Sequence, residues 1–233
     1  MKSHIYEMLE KFFDDKIINI AKKLNYDEDN IIILESDEEK LYKKYPDTYQ
    51  NLKSCSHNRD SRSMMEYAQD IICSWIFEDY LLLNLKSNGF DIELNGRDKN
   101  RKLLKSNKVS DSSDYIVKYN NKNGYVELAN DYKGYWKKTR KCDLRDDKYI
   151  HLKNMLKDHD FSFLLGIDFL NMQFFIIDIN NKNINVNYSN FHRAYKKPVY
   201  TIDLKNISYH NFNFDLIIKE IIKLINSGGN NSE

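Results

Sequence analysis

Apolar positions recur with a helical period through the first third of the chain. In residues 2–24, Ile5, Met8, Leu9, Phe12, Phe13, Ile17 and Ile20 fall on one side of a 3.6-residue wheel, which predicts an amphipathic helix. Asp27–Asn30 reads as a turn and Ile31–Leu34 as a short apolar run. A second helix is predicted over Asp37–Leu52, interrupted at Pro46, because proline lacks a backbone donor and clashes with the preceding turn. Ser54–Ser63 is polar and reads as a loop. The strongest helical pattern is Arg62–Lys86. Met64, Met65, Ala68, Ile71, Ile72, Trp75, Ile76 and Leu82 share one side, and beyond Trp75 nearly every face is apolar, the pattern of a helix packed on two sides. Asn88-Gly89 closes it, since glycine accepts the left-handed conformation at a helix end.

The period then drops to two. Phe90–Leu94 alternates like a strand and ends at the tight-turn dipeptide Asn95-Gly96. Asp114–Tyr119 and Gly124–Ala129 read as short strands joined by a polar hairpin loop, Asn120–Asn123. Asp143–Leu156 reads as a helix with Asp143 and Asp146 at cap and N3 positions. Phe161–Phe169 and Met172–Ile179 are apolar strands. Ile184–Tyr188 and Val199–Leu204 follow as strands, then a helix over Phe212–Ile225 and a loose tail. This order predicts an α/β fold, a mixed central sheet flanked by helices. The expected division is an N-terminal helical portion over residues 1–60, a core over 61–226 and a tail over 227–233.

Composition narrows the function classes. With 36 Lys+Arg against 35 Asp+Glu in 233 residues, the chain is no strongly basic coat protein, though local basic patches remain open to it. Cys55, Cys73 and Cys142 are far apart and odd in number, so neither a disulfide framework nor zinc spacing fits, and reduced thiols in a cytoplasmic protein are expected. Met1–Phe13 mixes charged and apolar residues, unlike a signal peptide. The most apolar stretch, Phe161–Ile179, is broken by Asp168, Asn171, Gln173 and Asp178, so no membrane span is expected. Glycine-rich phosphate loops, nucleophile elbows and Cys/His arrangements are missing from the sequence, and the six histidines are scattered without ligand spacing.

One pair of carboxylates stands out. Asp114 opens one predicted strand and Glu127 lies on the next, which sets two hard oxygen ligands side by side at a sheet edge, as Mg²⁺ requires. Upstream, Glu78-Asp79 interrupts the apolar helix, and a carboxylate there needs a partner. The run Glu78…Gly89…Ser113-Asp114…Gly124-Tyr125-Val126-Glu127-Leu128-Ala129 resembles the PD-(D/E)xK nuclease superfamily, and most resembles its type II restriction endonucleases. The resemblance covers roughly residues 62–180, and Ser113 replaces the family's proline. It implies a restriction-endonuclease-like fold and Mg²⁺-dependent, site-specific hydrolysis of double-stranded DNA. Asp114, Glu127 and the backbone carbonyl of Ala129 are the implied metal ligands. Glu78, or its neighbour Asp79, would be a third, water-mediated carboxylate. A homodimer and a cognate DNA methyltransferase encoded nearby are also implied.

Ala129 stands where the family carries its lysine. Lys133 is near in sequence, but four strand residues span roughly 13 Å, beyond a lysine's reach. Lys148 is the better candidate for the catalytic lysine: it falls within the stripe of Leu144, Leu152, Met155 and Leu156 on the following helix. The basic residues on either side, Arg97 and Arg101 before the carboxylates and Lys133, Lys137, Lys138, Arg140 and Arg145 after them, are candidate DNA contacts, with Asn130 and Trp136 interleaved. The segment Asn130–Arg140 is expected to leave its strand and enter a groove.

Overall fold

The computed structural model describes residues 4–55, 62–96, 98–103, 113–193 and 196–227, and the chain divides into two units. The first is helical and runs through Leu83, with residues 98–103 added; the second comprises Asn84–Gly96 and the chain from residue 113 onward. The division lies at Leu83, inside the long helix, and not at residue 60. Gln69 of that helix donates to the Ile33 and Ser36 carbonyls, and Phe77 packs on Phe12 and Phe13, so these turns belong with the N-terminal helices.

In the first unit the helix expected over residues 2–24 is two, α1 (His4–Phe13) and α2 (Ile17–Lys23). Asp14 turns left-handed at φ 50°, and Asp15 takes the Lys16 N–H and the Asn19 side chain; short carboxylates of this kind compete with helical bonding. The apolar run at Ile31–Leu34 belongs to a helix, α3 (Glu28–Glu35), because Asp27 caps it by accepting the Asn30 N–H. Asp37 caps α4 (Glu38–Lys44) in the same way. Pro46 is the first residue of α5 (Pro46–Ser54), where its missing N–H costs nothing. The long helix is α6 (Met64–Ser87), followed by Gly89 at φ 86°.

The second unit carries β1 (Asp91–Leu94), β2 (Tyr115–Tyr119), β3 (Lys122–Asp131), α7 (Tyr135–Thr139), β4 (Lys141–Arg145), α8 (Asp146–Met155), β5 (Phe161–Asp168), β6 (Gln173–Asp178), β7 (Val186–His192), β8 (Lys197–Asp203), β9 (His210–Asn211) and α9 (Phe214–Ser227). The β2–β3 loop is shorter than expected: Asn120 and Asn121 alone turn the chain, at φ 48° and 63°, the double left-handed turn whose twist suits a hairpin. Among the described residues the main sheet runs β1-β2-β3-β5-β6-β9, antiparallel except where β3 meets β5. That parallel pair needs a crossover, supplied by α7, β4 and α8. A second sheet, β4-β8-β7, is antiparallel. The chain is therefore α/β, with a mixed central sheet and helices.

The helix expected over Asp143–Leu156 is corrected to β4 followed by the shorter α8. Cys142 and Leu144 alternate inward, a strand period, so Asp143 is a strand residue and no cap. One sheet face, with Leu164, Phe175 and Ile177, packs with Leu152 of α8 and with Cys142, Leu144 and Ile202 of the small sheet. No helix among the described residues is long and apolar enough to cross a membrane. Cys73 and Cys142 are buried and Cys55 is partly exposed, and none of the three is in a disulfide.

Candidate active site

The hairpin register builds the centre of the site. Tyr115 pairs with Val126, so the next position sets Asp114 opposite Glu127. The Asp114 carbonyl accepts the Asn95 N–H, so its backbone faces β1 and not β3. Asp114 and Glu127 thus form a non-hydrogen-bonded pair, the kind whose side chains stand closest on one face. Asp114 Oδ2 also accepts the Leu128 N–H at 2.8 Å, which anchors the carboxylate to β3.

The helix α8 delivers the cation. Lys148 lies four residues before the fully buried Leu152, on the same helix face, so core packing of Leu152 aims Lys148 at the sheet. Lys148 Nζ is 2.9 Å from the Glu127 carboxylate and 3.6 Å from Asp114 Oδ1. Lys133 is exposed, at the turn beyond β3.

Burial sets the electrostatics. The Glu127 side chain is 6% exposed. Loss of water, then the Asp114 charge, push its carboxyl up to about 8, against the pull of Lys148 and Arg145. Burial works against the Lys148 ammonium, but Glu127 and Asp114 outweigh it and hold its pKa above the ordinary lysine value. The centre therefore favours positive charge, held here as the Lys148 ammonium and as a proton retained on Glu127.

The backbone carbonyl expected to face the carboxylates is corrected from Ala129 to Leu128. Along β3, Leu128 N–H points to Asp114, while the Asp131 carbonyl points to β5 and accepts the Phe169 N–H. Backbone groups alternate sides along a strand, so Ala129 shares the direction of Asp131 and its carbonyl belongs to the β3–β5 ladder. Leu128 is the residue whose carbonyl faces the Asp114 side.

Glu78 and Asp79 lie in the helical unit and share one guanidinium. Arg101 Nη1 donates to Glu78 at 2.9 Å, and Arg101 Nε and Nη2 both engage Asp79, which also accepts the Tyr26 hydroxyl at 2.6 Å. Arg101 is only 11% exposed and lies over the Trp75 ring, so it is an internal counter-ion and not an outward-facing DNA contact. Arg97 lies outside the described residues.

The expected groove-entering segment Asn130–Arg140 is largely turned inward. Asp131, buried at the end of β3, accepts the Lys133 and Trp136 N–H groups and bends the chain into α7. Trp136 is 6% exposed and packs edge-on against Phe175, so it is a core anchor and no base contact. Arg140 donates to the Leu204 and Lys205 carbonyls and covers the Tyr209 ring. Asn130 leaves its Oδ1 buried without a partner among the described residues. Lys133, Lys137 and Lys138 are exposed, with Lys137 reaching Asn171 Oδ1 at 3.2 Å. Arg145 pairs with Asp147 at 3.2 Å, close enough to the centre for its charge to bear on Glu127 and Lys148.

The sequence reading missed Asp143. Its buried carboxylate accepts the Thr201 hydroxyl at 2.6 Å and lies 3.4 Å from His192 Nε2, tying β4 to both other strands of the small sheet. The inward alternation of Cys142 and Leu144 was the available signal. No protein-family model matches the chain, and no curated protein matches it.

Proposed function

We propose that the chain is a Mg²⁺-dependent endonuclease of double-stranded DNA, built like a PD-(D/E)xK enzyme and acting as a site-specific type II restriction endonuclease. One observation carries the reading: Lys148 Nζ stands 2.9 Å from Glu127 and 3.6 Å from Asp114, on the face where the strand pair presents both carboxylates. The missing lysine of the strand motif is thereby replaced from the helix that follows. The order of α6, the β1-β2-β3 meander, the α8 crossover and the parallel β5 supports the same fold reading.

The donor set fits Mg²⁺. Asp114 and Glu127 offer hard carboxylate oxygens, and the Leu128 carbonyl faces their side. Mg²⁺ usually takes one or two carboxylates and completes its shell with water and substrate phosphate. The described residues contain no group of three or more His, Cys, Asp or Glu side chains placed to hold a metal. When bound, the ion supplies Lewis acidity toward the phosphodiester and a more acidic water. The chain's own residues do the rest. The Lys148 ammonium is placed to stabilise negative charge on the phosphate, and the α8 N-terminus, which begins at Asp146, adds a favourable field for the same anion. In-line attack by water would break the P–O3′ bond, the departing 3′-oxygen taking a proton to become a hydroxyl, and leave a 5′-phosphate end. Cytoplasmic location, a homodimer and a neighbouring methyltransferase gene belong to this reading.

The test is cleavage of plasmid DNA with and without Mg²⁺ by the wild type, Asp114→Asn and Glu127→Gln. Expected is Mg²⁺-dependent cutting by the wild type alone, with DNA binding in Ca²⁺ retained by both variants. A wild type that binds DNA but never cuts it points instead to a binding module with a decayed site, the reading that Ala129 favours.

A further inference from the structure

With Trp136 and Arg140 committed to the core, the segment after β3 is a poor reader of DNA, and another element of the second unit has the required chemistry. The β7–β8 hairpin is an antiparallel ribbon whose outer strand, β7, pairs only with β8 among the described residues. Tyr188 is 56% exposed and Phe191 61%, unusual values for large side chains on an ordered strand. From Val186 to Ile202 the chain has no acidic residue, yet it carries Arg193, Lys196 and Lys197, against a near-balanced total for the whole chain. Lys196 and Lys197 are exposed, as are Asn187 and Tyr188. Asn is the side chain that pairs with adenine edges.

The ribbon is also mechanically fit for a groove. The Lys196 N–H donates to the His192 carbonyl at 2.7 Å and closes its end. A register shift between Ser189 and His192 adds a bulge, which strengthens local twist. Asp143 of β4 holds Thr201 of β8 and faces His192 at the closed end of β7, so the ribbon is tied to β4 along its length. Val199 of β8 pairs with Arg145, the last residue before the helix that carries Lys148. Ribbon and lysine-bearing helix thus both join one short strand: β8 pairs along β4, and α8 continues from its end.

We infer that the β7–β8 hairpin is the DNA-reading element of this protein, entering a groove of duplex DNA with Arg193, Lys196 and Lys197 on phosphates and the β7 side chains toward the bases. A two-stranded ribbon fits the major groove. The positive charge without a single acid selects a polyanion over a second copy of the chain, which would bring the same charge to the same edge. The inference rests on the nuclease reading for its substrate but not for its chemistry.

The test uses the full-length protein, a pool of short random-sequence duplexes and supercoiled plasmid. Duplex affinity is measured in Ca²⁺ across a salt series for the wild type, Arg193→Ala/Lys196→Ala/Lys197→Ala, and a control, Lys219→Ala/Lys223→Ala on the exposed side of α9. Each phosphate contact contributes roughly 0.9 to the slope of log affinity against log salt. The triple variant should therefore bind at least about tenfold more weakly, with a slope shallower by roughly 2–3, while the control is unchanged. Asn187→Ala and Tyr188→Ala should flatten the base preference of the duplexes selected from the pool. Circular dichroism and the melting midpoint establish that each variant is folded. Cutting and binding by the triple variant at the wild-type level overturn the hairpin inference and leave the nuclease reading intact. Binding that depends on the hairpin without cutting in Mg²⁺ upholds the inference and overturns the nuclease reading. A wild type that binds no duplex overturns the inference, and hairpin variants that change only the oligomeric state overturn it in favour of a self-association edge.

Discussion

At the scale of residues, the proposed chemistry turns on Lys148 and Glu127. Lys148→Ala should lower the cleavage rate by about 10²-fold or more, the usual cost of losing a preorganised charge at a reacting centre. Lys133→Ala should change it little, because Lys133 is exposed in the turn after β3, whereas Lys148 already contacts Glu127. Single-turnover rates at saturating Mg²⁺ check both, and a dead Lys133→Ala beside an active Lys148→Ala would falsify the placement. Glu127 makes a second prediction, about stability. Its carboxyl titrates near 4.5 when the chain is unfolded and is pushed up to about 8 in the fold. Between those values the folded state holds the extra proton, so stability falls as pH rises, by at most about 1.4 kcal/mol per pH unit. This contribution is complete below about pH 4.5 and gone above about pH 8. Urea unfolding across that window should show a decline in the wild type that is missing from Glu127→Gln. Equal slopes in the two proteins would count against the burial of an ionisable group there.

At the scale of elements, Gly166 on β5 shows how closely the site is backed. It pairs with Ala129 on one side and Phe175 on the other, and a Cβ at Gly166 would collide with the Phe175 ring. Gly166→Ala should destabilise the protein by about 1–3 kcal/mol, read as a lower urea midpoint; an unchanged midpoint would mean the Phe175 ring moves freely aside. Several elements were legible in the sequence for physical reasons. The α6 period is long and strongly apolar, and a polar turn separates the two strands that carry Asp114 and Glu127, but their register was not legible: a loop over Asn120–Asn123 would set Asp114 against Ala129, whereas Asn120 and Asn121 alone turn the chain and set it against Glu127. Lys148 was legible through its spacing from Leu152. The short β4 was not, because it runs directly into α8 and its alternation merges with the helical pattern. The Arg101 pairing with Glu78 and Asp79 was hidden as well, since it closes across more than twenty residues with no local pattern to announce it. Trp136 misled because an aromatic among lysines reads alike whether it faces a base or a core.

At the scale of the whole molecule, a single site cuts a single strand, and a two-fold assembly matches a two-fold DNA site. Light scattering should therefore report twice the 27.9 kDa chain mass, in the free protein or on DNA; a monomer in both states contradicts the dimer. The ammonium lodged between Asp114 and Glu127 has a further consequence for the molecule as a material. It is a tethered counter-ion, held at the carboxylates by the same backbone that folds around them. The protein does not need a metal to reconcile its buried Glu127 with the half-buried Asp114, so removing divalent ions with a chelator should leave the melting temperature within a degree or so of its starting value. An incoming metal must compete with a rival that can never diffuse away. Weak, readily reversible metal binding is what that competition predicts, and with it a purified protein that stays folded, inactive and ready until the ion is added.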